Sequence, residues 1–186
     1  MINIPNNAKK VHEGILFDVY QWDQEMFDGT TEIFERLTRK ASVEVIAEVD
    51  GKILTIMQEQ PARKGPYPSF PGGRIDEGET AIEAAHRELR EETGYTAESM
   101  ELWKTYHGTS KITFDEYIFI AKGLKKTDEI QEDAGEKIKL QSFSFDETLS
   151  FCRNPQFTAA MFLKFDMYEM LLDEEKKQAF YHAIFS

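Results

Sequence analysis

The sequence predicts an α/β protein in which a mixed sheet is sandwiched between helices and preceded by an N-terminal β-hairpin. Three observations carry this. Asp28-Gly29 and Asp50-Gly51 each stand between β-rich runs, where such pairs favour tight hairpin turns. Residues 81–93 switch to helical periodicity between a capping signal and a glycine. A second helical pattern fills the chain beyond residue 146. At 186 residues the chain is long enough for one domain with a proper core, and the hydrophobic share of 41% is that of a globular protein. Residues 1–40 read as a hairpin extension, and residues 41–186 as the main domain.

Taken in order, residues 11–21 and 31–40 are expected to pair across Phe27-Asp28-Gly29-Thr30, and residues 43–49 and 52–58 across Asp50-Gly51. Residues 61–71, rich in proline, must be a loop. Thr80 with Glu83 three residues later makes a capping box for a helix over residues 81–93, and Gly94 supplies the left-handed cap. On that helix Ile82, Ala85 and Leu89 share an inward stripe. Residues 100–106 and 113–121 read as strands, the second dense enough in aromatic and branched residues to be buried on both faces. Residues 124–135 are charged and irregular, and residues 136–145 alternate as a strand. A short helix over residues 146–152 precedes a longer one with Asn154 as N-cap and Pro155 at its first position. Phe157, Ala160, Met161, Phe165, Tyr168 and Leu172 are placed on one side of it, and residues 173–185 extend or repeat it.

Charge and cysteine content narrow the function. A formal net charge of -12 argues against a nucleic-acid surface, which needs clustered Lys and Arg. The single cysteine, Cys152, cannot form an internal disulfide and fits a reducing compartment. No apolar run is long enough for a signal peptide or a membrane span, so a cytoplasmic protein without a membrane partner is expected.

The chemistry concentrates between Pro71 and Tyr95. Glu88, Glu91 and Glu92 occupy an arc of roughly 100° on the helix. Like charges at i and i+4 oppose helix formation, so the cluster is a poor choice for stability alone. A divalent cation removes the conflict, and hard carboxylate oxygens suit magnesium, which also takes ligands from substrate phosphates. Ala81 and Ala84 are expected beside the glutamates, their small side chains leaving room above the helix.

This segment resembles the Nudix box: G, five residues, E, seven residues, R-E-hydrophobic-x-E-E-x-G-hydrophobic. Gly73, Glu79, Arg87, Glu88, Leu89, Glu91, Glu92 and Gly94 fill the fixed positions, and Tyr95 departs mildly at the last. The resemblance implies a Nudix-type α/β/α sandwich and metal-dependent hydrolysis of a nucleoside diphosphate linked to another group. It further implies Glu88 and Glu92 as principal metal ligands, Glu91 close behind, the Gly72 carbonyl as a further ligand, and Mg2+, with Mn2+ an alternative, as the cofactor. Arg87 is read as an orienting residue paired to a box glutamate, and Glu79 as a tie between loop and helix.

Beyond the box the chain is similar to the ADP-ribose pyrophosphatase branch, through Phe34-Glu35 with Arg39, the segment from Gln58 to Pro61, and Gly135-Glu136. That similarity implies ADP-ribose or a related nucleoside diphosphate sugar as substrate, a homodimer formed through the N-terminal strands, and a catalytic base just before a late strand. Glu136 matches that place best, with Asp133 and Glu132 as competitors. Arg39, Arg63 and Lys64 are candidates to meet phosphate, and Tyr67, Phe70, Tyr106 and Phe114 to stack on a base. Two departures leave the leaving group open: Arg63 lies later than the arginine usual near Gln60, and Ser110 stands where a proline is usual. A non-catalytic nucleotide-binding domain is the alternative from another class, and a hydrolase of other nucleotides a third.

Overall fold

The structure, a computed structural model, describes residues 4–109, 111–131 and 135–186. Its strands in chain order are β1 (Lys9–Glu13), β2 (Asp18–Glu25), β3 (Thr31–Thr38), β4 (Ser42–Val49), β5 (Lys52–Glu59), β6 (Tyr67–Ser69) and β7 (Gly72–Arg74). After helix α1 (Ala81–Thr93) come β8 (Tyr95–Thr96), β9 (Ser99–His107), β10 (Ile112–Thr113), β11 (Asp115–Lys122), β12 (Lys125–Lys126) and β13 (Lys137–Phe143). Helices α2 (Phe145–Ser150), α3 (Met161–Met170) and α4 (Glu174–Phe185) close the chain. Two compact units emerge, one from the chain through Ala41 with Thr105–Glu116, the other from Ser42–Lys104 with Tyr117–Ser186.

In the first unit the strand expected over residues 11–21 is two strands. The Gly14 N–H donates to Asp18 Oδ1 at 3.3 Å and the Lys10 ammonium pairs with Asp18 Oδ2 at 2.8 Å, so the chain reverses and β1 lies antiparallel to β2. The turn at Asp28-Gly29 forms as expected, with Met26 N–H donating to the Thr30 carbonyl at 2.8 Å and Asp28 accepting from Thr30. Strand β10 runs parallel to β3, with Ile112 opposite Leu37.

The second unit is organised on a sheet ordered β13-β5-β4-β11-β9, with β6 added to β5 and β7 to β4. Asp50 and Gly51, at φ of 50° and 73°, form the left-handed pair that joins β4 to β5. Ile118, Phe119, Ile120 and Ala121 of β11 are buried in succession, as a strand covered on both faces must be. The loop expected over residues 61–71 contains β6, and the irregular stretch over residues 124–135 contains β12.

Helix α1 begins and ends where its caps dictate. Thr80 N–H donates to Glu83 Oε2 at 2.8 Å and Glu83 N–H returns to Thr80 Oγ1 at 3.4 Å. Gly94, at φ 68°, donates its N–H to the Arg90 carbonyl at 2.7 Å. Ala84, Ala85 and Leu89 pack into a core with Val43, Val45, Ala47, Leu54, Met100, Phe119 and Ala121. Two expectations are corrected here. Ile82 is 44% exposed, and Ala84 is fully buried. The helix therefore meets the sheet through its small residues, which bring it close enough for Glu92, 7% exposed, to be enclosed at its end.

The C-terminal helix does not start at Asn154. Asn154 Oδ1 accepts from Gln156 N–H at 2.9 Å, and the N–H groups of Thr158 and Ala160 donate to the Pro68 carbonyl and Glu44 Oε1. Those donors are thereby withdrawn from helical bonding, and α3 begins only at Met161. Its buried residues are Leu163, Met167 and Met170, whereas Met161, Phe165, Tyr168 and Leu172 of the expected inward stripe are exposed. Residues 173–185 repeat the helix rather than extend it, with Asp173 capping α4 through Lys176 N–H at 3.1 Å.

The Gly94 cap provides a test of the local account. A Cβ at this left-handed position would strike the Asp128 carbonyl. Gly94→Ala is expected to lower unfolding free energy by more than about 1 kcal/mol, read from the urea midpoint.

Candidate active site

The residues that carry charge at the end of α1 are brought into position by a double glycine. Gly72 and Gly73 lie on β7, opposite Glu44 and Val43 of β4. A Cβ on Gly72 would sit 2.9 Å from Glu44 Cα, and one on Gly73 would sit 2.6 Å from Glu88 Cδ. Only bare backbone fits between β4 and the glutamates. That close approach lets Gly72 N–H donate to Glu92 Oε2 at 2.7 Å.

Arg87 gathers three carboxylates. It forms a two-pronged pair with Glu79, Nε to Oε1 and Nη2 to Oε2, both at 2.9 Å. Its Nη1 donates to Glu88 Oε1 at 2.8 Å and Glu91 Oε2 at 3.2 Å, and Nη2 also reaches the Arg74 carbonyl at 3.0 Å. These bonds, with Glu79 the largest influence, raise the Arg87 pKa and hold the Glu79 carboxyl below its ordinary value. Burial pushes the Glu88 carboxyl up, against the opposing pull of Arg87. Asp76 N–H also donates to Glu79 at 3.1 Å, so Glu79 is bonded both to its own loop and to Arg87.

Glu92 is held differently. Its Oε1 accepts from Gln58 Nε2 at 3.0 Å, and its Oε2 from Gly72 N–H, both uncharged donors. Glu136, immediately before β13, accepts from Gln60 Nε2 at 3.1 Å. Arg87, Glu88, Glu91, Glu92, Glu136 and Gly72 all line one cleft of about 630 Å³, together with Gln58, Gln60, Arg74, Asp76 and Gln131. Gln131 N–H donates to the Glu91 carbonyl at 2.8 Å and ties the irregular loop to α1. Glu132 and Asp133, the competitors of Glu136, lie outside the described residues, as does Ser110.

Arg63 and Phe70, expected as substrate contacts, are not among the residues that line this cleft. Phe70 is 4% exposed and packs edge-on against Phe157 with ring centres 5.4 Å apart, so its role as a stacking surface is corrected to a core one. Tyr67 and Tyr106 are likewise buried. Arg63 donates to Thr158 Oγ1 at 2.6 Å and lies 3.6 Å above the Tyr67 ring, fastening the loop before β6. Arg39 belongs to the first unit, where it pairs with Glu116 at 3.5 Å and lies 4.3 Å over Phe114. Sequence reasoning missed Gln58 and Gln60 as site residues. Their i, i+2 spacing at the end of a predicted strand was the available signal.

Carboxylate oxygens are the donor type a hard divalent cation takes, and Glu88, Glu91 and Glu92 present them to one cleft from the end of α1. Among the described residues, no three His, Cys, Asp or Glu side chains are placed to hold a metal ion together. Glu88 and Glu91 face Arg87, while Glu92 faces Gln58 and Gly72, so cation binding requires some of these oxygens to turn.

Comparison with known proteins places this geometry. The NUDIX domain model matches residues 37–163. The chain belongs to the NUDIX family. This membership bears out the expected Nudix hydrolase class, acting on pyrophosphate bonds. The Nudix chain is 33% identical over 150 residues to the methanol dehydrogenase activator of Bacillus methanolicus, covering 78% of this chain and 80% of that one. It is 29% identical over 145 residues to the ADP-ribose pyrophosphatase of Bacillus subtilis (strain 168), covering 76% and 78%. A crystal structure of an ADP compounds hydrolase superposes with a TM-score of 0.72 over 91% of this chain and 94% of that one, at 24% identity, which bears out the expected fold. Among the described residues, no helix is long and apolar enough to cross a membrane.

The Arg87 fork yields a stability prediction with a defined pH sense. Arg87→Lys keeps charge but loses the planar fork, and is expected to cost about 1–3 kcal/mol at neutral pH. Because Glu79 has its pKa lowered in the folded state, its pairing stabilises above the unfolded carboxyl pKa and is lost as pH falls through the folded one. The difference between wild type and variant in urea unfolding should therefore shrink on acidification.

Proposed function

We propose that this protein is a divalent-cation-dependent pyrophosphohydrolase that cleaves ADP-ribose or a related nucleoside diphosphate sugar to a nucleoside monophosphate and a sugar phosphate. The observation that carries the reading is the gathering of Glu88, Glu91, Glu92 and Glu136 around one cleft. The ADP-ribose pyrophosphatase relative, aligned over most of both chains, supports the substrate class.

Glu88 and Glu92 are the principal residues to hold the cation, Mg2+ or Mn2+, with Glu91 beside them and the Gly72 carbonyl as a further ligand. When bound, the cation neutralises diphosphate oxygens and acidifies a water. Glu136 accepts the proton as the water oxygen attacks phosphorus, and the bond between phosphorus and the bridging oxygen breaks to leave two monophosphates. Arg87 keeps Glu88 and Glu91 aligned with the Glu79 loop instead of meeting the substrate itself, because its donors are engaged by the protein.

The methanol dehydrogenase activator relative favours a second reading, in which the cleft serves regulation of another protein. A complete set of box glutamates supports the catalytic reading over it.

The deciding experiment incubates the protein and Mg2+ with a panel of nucleoside diphosphate sugars, scoring nucleoside monophosphate release. Turnover of ADP-ribose or a close relative is expected, and Glu92→Gln should abolish most of it. Glu136→Gln should lower kcat by about 10²–10⁴-fold with little change in KM. Full activity in that variant would move the base to Asp133, Glu132 or a box glutamate. Absence of turnover across the panel with ligand binding intact would favour the regulatory reading instead.

A further inference from the structure

The register of β5 against β13 decides which side chains meet at the mouth of the cleft. The antiparallel pairs run without a break from Ile53 with Phe143 to Glu59 with Lys137. Carried one step past the end of the ladder, the same register sets Gln60 opposite Glu136, and a second step sets Pro61 opposite Gly135. Directly opposed residues of an antiparallel pair put their side chains on one side of the sheet, close enough to touch. The contacts follow that order. Gln60 Nε2 donates to Glu136 Oε1 at 3.1 Å, and a Cβ on Gly135 would stand 3.3 Å from Pro61 Cγ. All four residues line the cleft.

The contact from Gln60 leaves Glu136 half engaged. Glu88 and Glu91 pair with the Arg87 guanidinium. Among the described residues, Glu136 has one hydrogen-bond partner, the Gln60 amide on Oε1, and no lysine, arginine or histidine pairs with it. Its Oε2 stays open. One anchored oxygen beside one open oxygen suits a carboxylate that must take a proton from a defined direction.

The residue type at position 60 matters for the same reason. A lysine or arginine there would hold the carboxylate but favour its charged form strongly, which weakens it as a proton acceptor. An apolar side chain would leave the carboxylate free to turn. The backbone offers little restraint of its own, because Gly135, at φ 92°, turns the chain into β13 directly before Glu136. A neutral amide supplies orientation without charge.

We propose that Gln60 is a positioning residue for proton transfer, anchoring Oε1 of Glu136 so that Oε2 is presented to the attacking water. This rests on the reading of Glu136 as the base. The side chain of Gln60 touches neither the water nor the phosphorus, so its effect passes through Glu136 alone.

The test is steady-state kinetics with Mg2+ on whichever panel compound wild type turns over fastest, alongside the melting temperature of each variant. Gln60→Met keeps the length of the side chain but removes the donor, and Gln60→Asn withdraws the amide by one methylene. Each should lower kcat by about 10-fold or more, the worth of a hydrogen bond to a charged group, with KM and melting temperature close to wild type. Placed in a Glu136→Gln background, the same substitutions should change kcat by less than about twofold, because residues that act as a unit lose their effects together. The proposal is overturned if Gln60→Met keeps kcat within about twofold of wild type, or if kcat falls only in step with melting temperature. It is equally overturned if KM carries the loss, which would make Gln60 a substrate contact, or if the loss is the same with and without Glu136. Full activity of Glu136→Gln, or no turnover by wild type, would overturn the reading of Glu136 as the base and this inference with it. Neither of those two measurements involves a change at position 60, so the two kinds of failure are distinct.

Discussion

The structure of the cleft depends on one guanidinium. Arg87 is asked to hold Glu79, Glu88 and Glu91 at once, and its planar fork has enough donors to do so while still reaching the Arg74 carbonyl. Without a shared cation these carboxylates would repel one another across a helix end and a loop. Arg87 thus converts a destabilising cluster into a joint between β7, the loop before α1, and α1 itself. The arrangement resolves why the box can carry so many acids without unfolding its own helix, and why the arginine is unavailable as a phosphate clamp.

A division of labour follows among the glutamates. Glu88 lies against Gly73, where burial disfavours its charge and Arg87 opposes that effect without cancelling it. Glu92 instead accepts from Gln58 Nε2 and the Gly72 N–H. Glu136 stands on a different segment, immediately before β13, where it accepts from Gln60 Nε2 and lines the same cleft. The two glycines of β7 are the steric counterpart of these electrostatics, since any side chain there would displace the carboxylates or the β4 backbone.

Helix α1 was legible in the sequence to its ends, because Thr80, Glu83 and Gly94 act through local backbone bonds that spacing alone specifies. Asp50-Gly51 was legible for the same reason. The C-terminal helix was misread because its beginning is decided by distant partners: the N–H groups of Thr158 and Ala160 bond to Pro68 and Glu44, and no local pattern reports that. Ile82 and Ala84 exchanged their expected places because the sheet accepts a closely approaching face of small residues over a bulkier stripe. At the site, the box glutamates could be read from register, whereas Gln58 and Gln60 acquire their meaning only when β5 is laid beside α1 and β13. Phe70 looked like a stacking surface because its burial against Phe157 is a long-range fact.

In the proposed function this cleft uses its carboxylates to hold a divalent cation for hydrolysis of a nucleoside diphosphate sugar. Phosphorus nuclear magnetic resonance of ADP-ribose mixed with the chelator-stripped protein, before and after Mg2+ is restored, tests it most directly. The diphosphate resonances are expected to persist until Mg2+ is added and then to be replaced by those of two monophosphates. Diphosphate resonances that survive Mg2+ addition, or that disappear at the same rate with the chelator still present, would contradict it.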